Sequence, residues 1–106
     1  MSFGLPNSLI EKITKILQNH PEVEEALIYG SRAKGNYREG SDIDMVLKGE
    51  QLTESIKNHI FWEIDELNSP YTLDLSNYQG ITSKELIQHI GRVGKPFFQK
   101  ENQAQS

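Results

Sequence analysis

Segments with helical periodicity alternate with short apolar runs along this chain, and that alternation restricts the folds that it can adopt. Apolar residues three and four positions apart predict helices, whereas short apolar runs that end near glycine predict buried strands. In chain order the patterns predict a helix over 8–19, a strand over 26–29, a short helix over 31–37, a strand over 43–47, a helix over 52–67, a strand over 71–76 and a helix over 82–93. Such alternation predicts an α/β domain with a small mixed central sheet of three or four strands packed by helices.

Two of the predicted helices begin with the spacing of a capping box. Ser8 with Glu11, and Thr82 with Glu85, are three positions apart, so each pair would satisfy free backbone N–H groups at a helix start. The first helix is expected to end before Pro21, because proline within a helix removes a hydrogen bond and clashes with the preceding turn.

The composition is that of one ordinary domain over residues 1–106, with a polar tail from about Gln99 that we expect to be frayed. The absence of cysteine excludes disulfides and thiolate metal sites, so oxygen or imidazole must hold any metal. No apolar run has the length of a membrane span and no signal peptide is visible, so we expect a cytoplasmic protein without membrane contact. The formal net charge of −4 argues against extended nucleic-acid binding, which depends on clustered Lys and Arg.

Gly30 and Ser31 lie between a predicted strand and a predicted helix, a position that favours anion binding. Backbone N–H groups at a helix start lack partners within the helix and carry partial positive charge. Gly30 would let a ligand approach the backbone, and the Ser31 hydroxyl would add a donor. Taken alone, Gly-Ser after a strand is more often only a turn and a helix cap, so a phosphate site needs support from other residues.

Three aspartates supply that support. Asp42 and Asp44 are two positions apart at the start of a predicted strand, so their side chains point to the same face of the sheet. A cation would relieve their repulsion, and Mg²⁺ commonly takes one or two carboxylates together with water and substrate phosphates. Solvated turn aspartates are the commoner origin of an Asp-x-Asp pattern. Asp74 favours the metal site, because a carboxylate between Leu73 and Leu75 in a strand needs a partner.

The phosphate turn, the Asp-x-Asp pair and the third aspartate together predict metal-assisted nucleotidyl transfer. Asp42 and Asp44 would hold the ion that bridges the triphosphate, and with Asp74 they would hold a second ion that activates an attacking hydroxyl. Ser31 would orient the leaving pyrophosphate. The hypothesis therefore includes two Mg²⁺ ions, ATP or another nucleoside triphosphate as substrate, and these three aspartates as catalytic and metal-binding residues.

The same residues carry a family resemblance. Gly30-Ser31-Arg32-Ala33-Lys34-Gly35, followed by Gly40-Ser41-Asp42-Ile43-Asp44-Met45, resembles the signature of the DNA polymerase beta-like nucleotidyltransferase superfamily, in particular its minimal nucleotidyltransferases. Asp74 occupies the place of the third acid of that family. The resemblance implies the polymerase beta-like fold, two-metal chemistry and transfer of a nucleoside monophosphate to an acceptor. Many such short proteins are encoded beside a helical HEPN-type partner and act as its antitoxin, so the resemblance implies a partner of this kind.

Three functions stay open at this point. The first is an enzyme that transfers AMP from ATP to a hydroxyl of a partner protein. The second is a nucleotide-binding partner protein that acts by complex formation without turnover, and Asp74 argues against it because binding alone needs no third acid. The third, modification of a small molecule, ranks last because little chain remains to build an acceptor pocket. The short chain also predicts that another chain, or a second copy in a homodimer, helps to hold the acceptor or the base.

Several other side chains were weighed for a role. Arg32 is a candidate contact for the triphosphate together with Gly30 and Ser31, and Lys34 is a weaker one. Trp62 falls off the apolar stripe of its helix, so it either forms an exposed aromatic patch or packs beneath the C-terminal segment. No role is predicted for the histidines, which lack the spacing of metal ligands along the sequence: His20, His59 and His89.

Overall fold

Helices and strands alternate along the chain in the computed structural model, which describes residues 3–38 and 40–100. The elements follow one another as α1 Asn7–Gln18, β1 Glu25–Tyr29, α2 Ser31–Lys34, β2 Ile43–Lys48, α3 Glu54–Asp65, β3 Leu73–Asn77, α4 Lys84–Val93 and β4 Lys95–Gln99. A short 3₁₀ turn, Tyr78–Gly80, follows β3. The helices and strands from α1 to α4 confirm the predicted order and type, whereas the 3₁₀ turn and β4 were not predicted.

The four strands form one mixed sheet in the order β3-β2-β1-β4. β1 is antiparallel to β2 on one side and to β4 on the other, whereas β2 and β3 are parallel. Parallel neighbours need a crossover connection, and α3 supplies it between β2 and β3. The predicted small mixed sheet packed by helices is confirmed.

β4 was missed because its sequence resembles the end of a helix. The residues Gly94-Lys95-Pro96 are typical of the end of a helix. Proline is also rare within central strands, because it has no N–H to donate. β4 lies at the edge of the sheet, where Pro96 is tolerated, and its register with β1 contains an irregularity. Gln99, near which the polar tail was predicted to begin, is the last residue of β4 and pairs with Glu25. Residues 101–106 lie outside the described part of the chain.

The helix starts differ in detail from the predicted capping boxes. α1 begins directly after Pro6 without a capping hydrogen bond from any side chain, so the capping role predicted for Ser8 is wrong. Pro6 stands at the N-cap position instead, and its fixed φ holds the backbone in the conformation that leads into the helix. α4 is capped by Ser83 rather than Thr82, through a hydrogen bond that the Leu86 N–H donates at 3.2 Å. Among the described helices, none has the length and hydrophobicity needed to cross a bilayer.

The two faces of the sheet pack against different helices. One face carries the main core with α1 and α3, which includes the fully buried side chains of Ile13, Ile28, Met45 and Ile60. The other face carries a smaller cluster with α4, formed by Leu27, Tyr29, Val46 and Ile90. Side chains alternate between faces along a strand, so Asp44, which precedes Met45, belongs to the face of the smaller cluster.

Trp62 lies on the outer surface of α3, and its side chain is 61% exposed. Its ring contacts Phe61 edge to face, with 5.3 Å between centroids. Of the two predicted arrangements, the exposed one is therefore confirmed. Phe97 packs against Phe3 instead, with a centroid distance of 6.3 Å.

Candidate functional site

Asp44 and Asp74 lie side by side on neighbouring strands. β2 and β3 are parallel, and their register pairs the Cα atoms of these two residues directly. Paired residues project to the same face of a sheet, which here is the face opposite the main core. The structure thus brings together two of the three predicted carboxylates. Asp42 lies just before β2 and is exposed.

The three aspartates also act on one another electrostatically. Burial is the largest cause that raises the pKa of Asp44, and the charges of Asp74 and then Asp42 raise this pKa further, while His89 lowers it. The strand register places Asp44 beside Asp74, and Asp42 is near enough for its charge to influence Asp44. A cation among them would offset their repulsion, and carboxylate oxygens are the ligands that Mg²⁺ prefers.

Gly30 joins the predicted phosphate turn to this acidic group. Its backbone has φ 76° and ψ −154°, a combination that glycine adopts readily and other residues adopt only under strain. A Cβ on residue 30 would overlap the Oδ2 atom of Asp44. The missing side chain therefore lets the Asp44 carboxylate lie against the turn. Ser31 follows directly as the first residue of α2 and is half-buried.

Arg32 points into the protein and is 3% exposed. Its Nη1 donates to the Phe3 carbonyl at 2.8 Å, and its Nη2 and Nε donate to the Ser41 carbonyl at 2.8 and 3.2 Å. Its Cζ lies 5.2 Å from the ring centroid of Tyr37 and 5.0 Å from that of Tyr71, which is within cation–π range. These contacts hold α2 against the loop that leads into β2. The geometry therefore gives Arg32 a positioning role at the turn.

Tyr29 and His89 border the carboxylates on the side toward α4. Tyr29 is the strand partner of Asp44 across β1 and β2, and the His89 ring contacts it edge to face at 6.2 Å between centroids. Burial raises the pKa of the Tyr29 hydroxyl, a side-chain hydrogen bond with Ser76 lowers it in part, and the charges of Asp74 and Asp44 raise it. The Tyr29 hydroxyl, whose raised pKa favours the protonated phenol, and the His89 ring are therefore neighbours of the carboxylates.

His89 is a neighbour of the site that the sequence analysis left without a role, although a signal was present. It falls within the stripe of Leu86, Ile90 and Val93 on α4, and these residues pack on the smaller cluster. A histidine on that stripe faces the sheet. The burial of Arg32 had no comparable signal, because its partners are backbone carbonyls that residue spacing does not predict.

The family model "Polymerase beta, Nucleotidyltransferase" matches residues 11–103. The match includes the Gly30 turn and all three aspartates and covers most of the chain. The protein therefore belongs to the polymerase beta nucleotidyltransferase family, as the sequence motifs predicted. No curated protein sequence matches the chain.

Several solved structures share the fold. A chain in the crystal structure of a toxin-antitoxin with AMP-PNP has a TM-score of 0.70 and 21% identity, over 87% of this chain and 74% of that chain. A chain in the structure of the tri-AMPylated Shewanella oneidensis HEPN toxin in complex with MNT antitoxin has a TM-score of 0.65 and 20% identity, over 89% and 72%. A chain of the toxin-antitoxin MntA-HepT has a TM-score of 0.66 and 18% identity, over 90% and 74%. At these identities the similarity establishes the polymerase beta-like fold.

Proposed function

We propose that this protein is a Mg²⁺-dependent nucleotidyltransferase that transfers AMP from ATP to a hydroxyl group of a partner protein. Membership of the family supports the reaction class. The observation that most supports the site is the strand register that sets Asp44 beside Asp74, on the face where Gly30 makes room for a carboxylate.

Asp42, Asp44 and Asp74 are the proposed ligands of two Mg²⁺ ions. The raised pKa of Asp44 supports this assignment, because a half-buried carboxylate beside two others favours either a proton or a cation. The donor set also fits, since Mg²⁺ binds through a few carboxylates and completes its shell with water and substrate phosphates. When bound, Mg²⁺ would neutralise charge on the triphosphate and lower the pKa of the attacking hydroxyl.

Gly30 and Ser31 are the proposed contacts of the triphosphate. The absence of a side chain on Gly30 lets the Asp44 carboxylate lie against the turn, and the Ser31 hydroxyl would donate a hydrogen bond to a phosphate oxygen. A direct contact between Arg32 and the triphosphate stays a prediction. The burial of Arg32 favours an indirect contribution, in which it holds the turn in the shape that the phosphates require.

In the proposed reaction, the acceptor oxygen forms a bond to the α-phosphorus of ATP, and the bond from that phosphorus to the oxygen of the β-phosphate breaks. The acceptor gains AMP, pyrophosphate leaves and the hydroxyl proton is released. Asp42 and Asp44 would orient the triphosphate, and the exposed Asp74 would face the acceptor. The exposure of Asp42 and Asp74 suits an acceptor that another protein presents.

The proposed acceptor is a helical HEPN-type protein encoded nearby, with this chain as its antitoxin in the cytoplasm. Support comes from two of the structures that share the fold, a toxin-antitoxin with AMP-PNP and a tri-AMPylated HEPN toxin in complex with MNT antitoxin. The exposed Trp62 gives the chain a surface aromatic of the kind enriched at protein interfaces. A homodimer that helps to hold the acceptor stays a further prediction.

A nucleotide-binding partner protein that acts by complex formation alone is the second candidate. Its pocket would need the Gly30 turn and enough carboxylates to bind one Mg²⁺-triphosphate. The pairing of Asp74 with Asp44 adds a third acid that such binding does not require. This pairing therefore favours turnover.

Incubation of the protein and its HEPN-type partner with Mg²⁺ and ATP labelled on the α-phosphate tests the proposal. We expect label on the partner, and we expect Asp44→Asn and Asp74→Asn to abolish it. Asp65→Asn is the matched control, because it removes an exposed carboxylate of α3 and should leave transfer unchanged. A tight complex without label on either polypeptide would contradict transfer and favour the second candidate. Label that persists in Asp44→Asn would contradict the assigned site.

A further inference from the structure

A second group of metal-ligating side chains lies away from the three aspartates. His20, which follows α1, and His59 and Glu63 on α3 each place a ligand atom within 4.8 Å of the other two. The two imidazole rings are edge to face, with 5.7 Å between centroids. These histidines have no metal-ligand spacing along the sequence, but the fold makes them neighbours. The sequence analysis predicted no role for these histidines, and their proximity could not be read from their spacing along the chain.

Glu63 is at the centre of this group. Its Oε1 contacts the Nε2 of His20 and lies 3.8 Å from the Nε2 of His59. His59 and Glu63 are four positions apart on α3, so they project from the same side of that helix. His20 reaches the same carboxylate from the end of α1. The segment after α1 and the side of α3 thus bring three ligand atoms within 4.8 Å of one another.

The donor set favours a transition metal. Two imidazole nitrogens and one carboxylate oxygen occur in zinc sites that keep a fourth position for water, with bond lengths of about 2.0–2.2 Å. Ligand atoms on one tetrahedral ion are therefore roughly 3.3–3.6 Å apart. The 3.8 Å between His59 and Glu63 is close to this spacing, whereas His20 and Glu63 are in direct contact and would have to separate to admit an ion. The His59 side chain is 69% exposed, which leaves it room to turn toward an ion. Mg²⁺ is disfavoured because it prefers oxygen ligands.

We propose that His20, His59 and Glu63 bind one divalent transition-metal ion, with Zn²⁺ as the best match to the ligands, and that this ion links α1 to α3. Both helices pack on the core face of the sheet, whereas the aspartates belong to the opposite face, so the two sites are separate. An ion that binds only the folded state stabilises it. The competing explanation is an ion pair between His20 and Glu63, which needs no contribution from His59.

Calorimetric titration of the untagged full chain with Zn²⁺ tests the proposal, with Mg²⁺ in excess to occupy the aspartates. Wild type is expected to bind one zinc ion that His59→Gln binds more than about tenfold less tightly, because even the loss of a residue behind a ligand weakens metal sites about tenfold or more. His59 is exposed, so this variant should retain its fold, which circular dichroism checks. Glu66→Gln removes an exposed carboxylate near the end of α3 and should bind zinc like wild type.

Two further measurements distinguish the metal site from the ion pair. Zinc should raise the midpoint of thermal unfolding of wild type by several degrees, and the increase should be reversed by EDTA and absent in His59→Gln. Co²⁺ should give the visible absorption of a four-coordinate site in wild type and lose it in the variant. No zinc binding by wild type, or equal binding by wild type and His59→Gln, would overturn the proposal. Either result would leave the proposal of nucleotidyl transfer unaffected, because the two sites share no residue.

Discussion

The Oδ2 atom of Asp44 occupies the space in which a Cβ of residue 30 would stand, so the position of this carboxylate depends on glycine at the end of β1. The same glycine has a positive φ of 76°, which bends the chain from β1 into α2. One residue therefore sets both the turn proposed for the phosphates and the space for a proposed metal ligand.

Replacement of Gly30 by alanine should destabilise the protein by about 1–3 kcal/mol, because the backbone there is strained for any other residue and the new methyl group meets Asp44. Urea unfolding measures the change. Gly91→Ala is the matched control, since Gly91 lies exposed on α4 with open space around its Cα. That change should stabilise the protein by about 0.5–1 kcal/mol.

A double-mutant cycle separates the two causes of the Gly30→Ala effect. In the background of Asp44→Ala the overlap is removed and only the backbone strain remains, so the penalty should shrink. An unchanged penalty in that background would show that the carboxylate does not lie against the turn.

Replacement of Asp44 by asparagine should raise the stability of the metal-free protein at neutral pH. Burial first, then the charges of Asp74 and Asp42, raise the Asp44 pKa in the folded state above its ordinary 3.8, and His89 opposes them. Between the two pKa values the folded protein binds more protons than the unfolded chain, so stability falls as pH rises through that interval. The destabilisation by the Asp44 charge is absent below the pKa that Asp44 has in the unfolded chain. It is fully present above the pKa that Asp44 has in the folded protein.

The melting temperature in EDTA, measured from acid to neutral pH, checks this expectation. The advantage of Asp44→Asn over wild type should be absent at the acid end and should grow as the pH rises. An advantage that is constant across the whole range would point to a cause other than the charge of Asp44.

Arg32→Ala should destabilise the protein by about 1.5–3 kcal/mol, because it leaves the half-buried carbonyls of Phe3 and Ser41 without their charged donor. Arg32→Lys should recover only part of this loss, since an ammonium group cannot reproduce the forked geometry of a guanidinium. Lys34→Ala, an exposed change on the same short helix, should stay within about 0.5 kcal/mol of wild type. Equal effects of Arg32→Ala and Lys34→Ala on unfolding would contradict the positioning role.

Two changes on α3 should have very different effects on stability. Ile60 is 0% exposed in the main core, so Ile60→Ala should cost about 2–5 kcal/mol. Trp62 is largely exposed, so Trp62→Ala should change stability by no more than about 0.5 kcal/mol. Since Trp62 is the single tryptophan, quenching of its emission by acrylamide measures its exposure directly. Full protection from the quencher in the isolated chain would contradict the structure.

The parts of the fold that follow from local pattern could be predicted. The alternation of side chains along β2 and β3 was sufficient to place Asp44 and Asp74 opposite the apolar core residues, and the register agrees with that. Features that join distant segments could not be predicted in this way. His20 and Glu63 are 43 positions apart, and nothing in the spacing around either residue indicates the other. The edge strand β4 was missed because its proline is acceptable only where one side of the strand is unpaired.

The pairing of β1 with β4 limits how early the sheet can be completed during synthesis. Residues 25 and 99 are strand partners, so the central strand obtains its second neighbour only after a long stretch of polypeptide has been made and folded. Contacts between such distant segments form slowly. The β1–β4 edge of the described sheet can therefore form only after residues up to Gln99 have been synthesised.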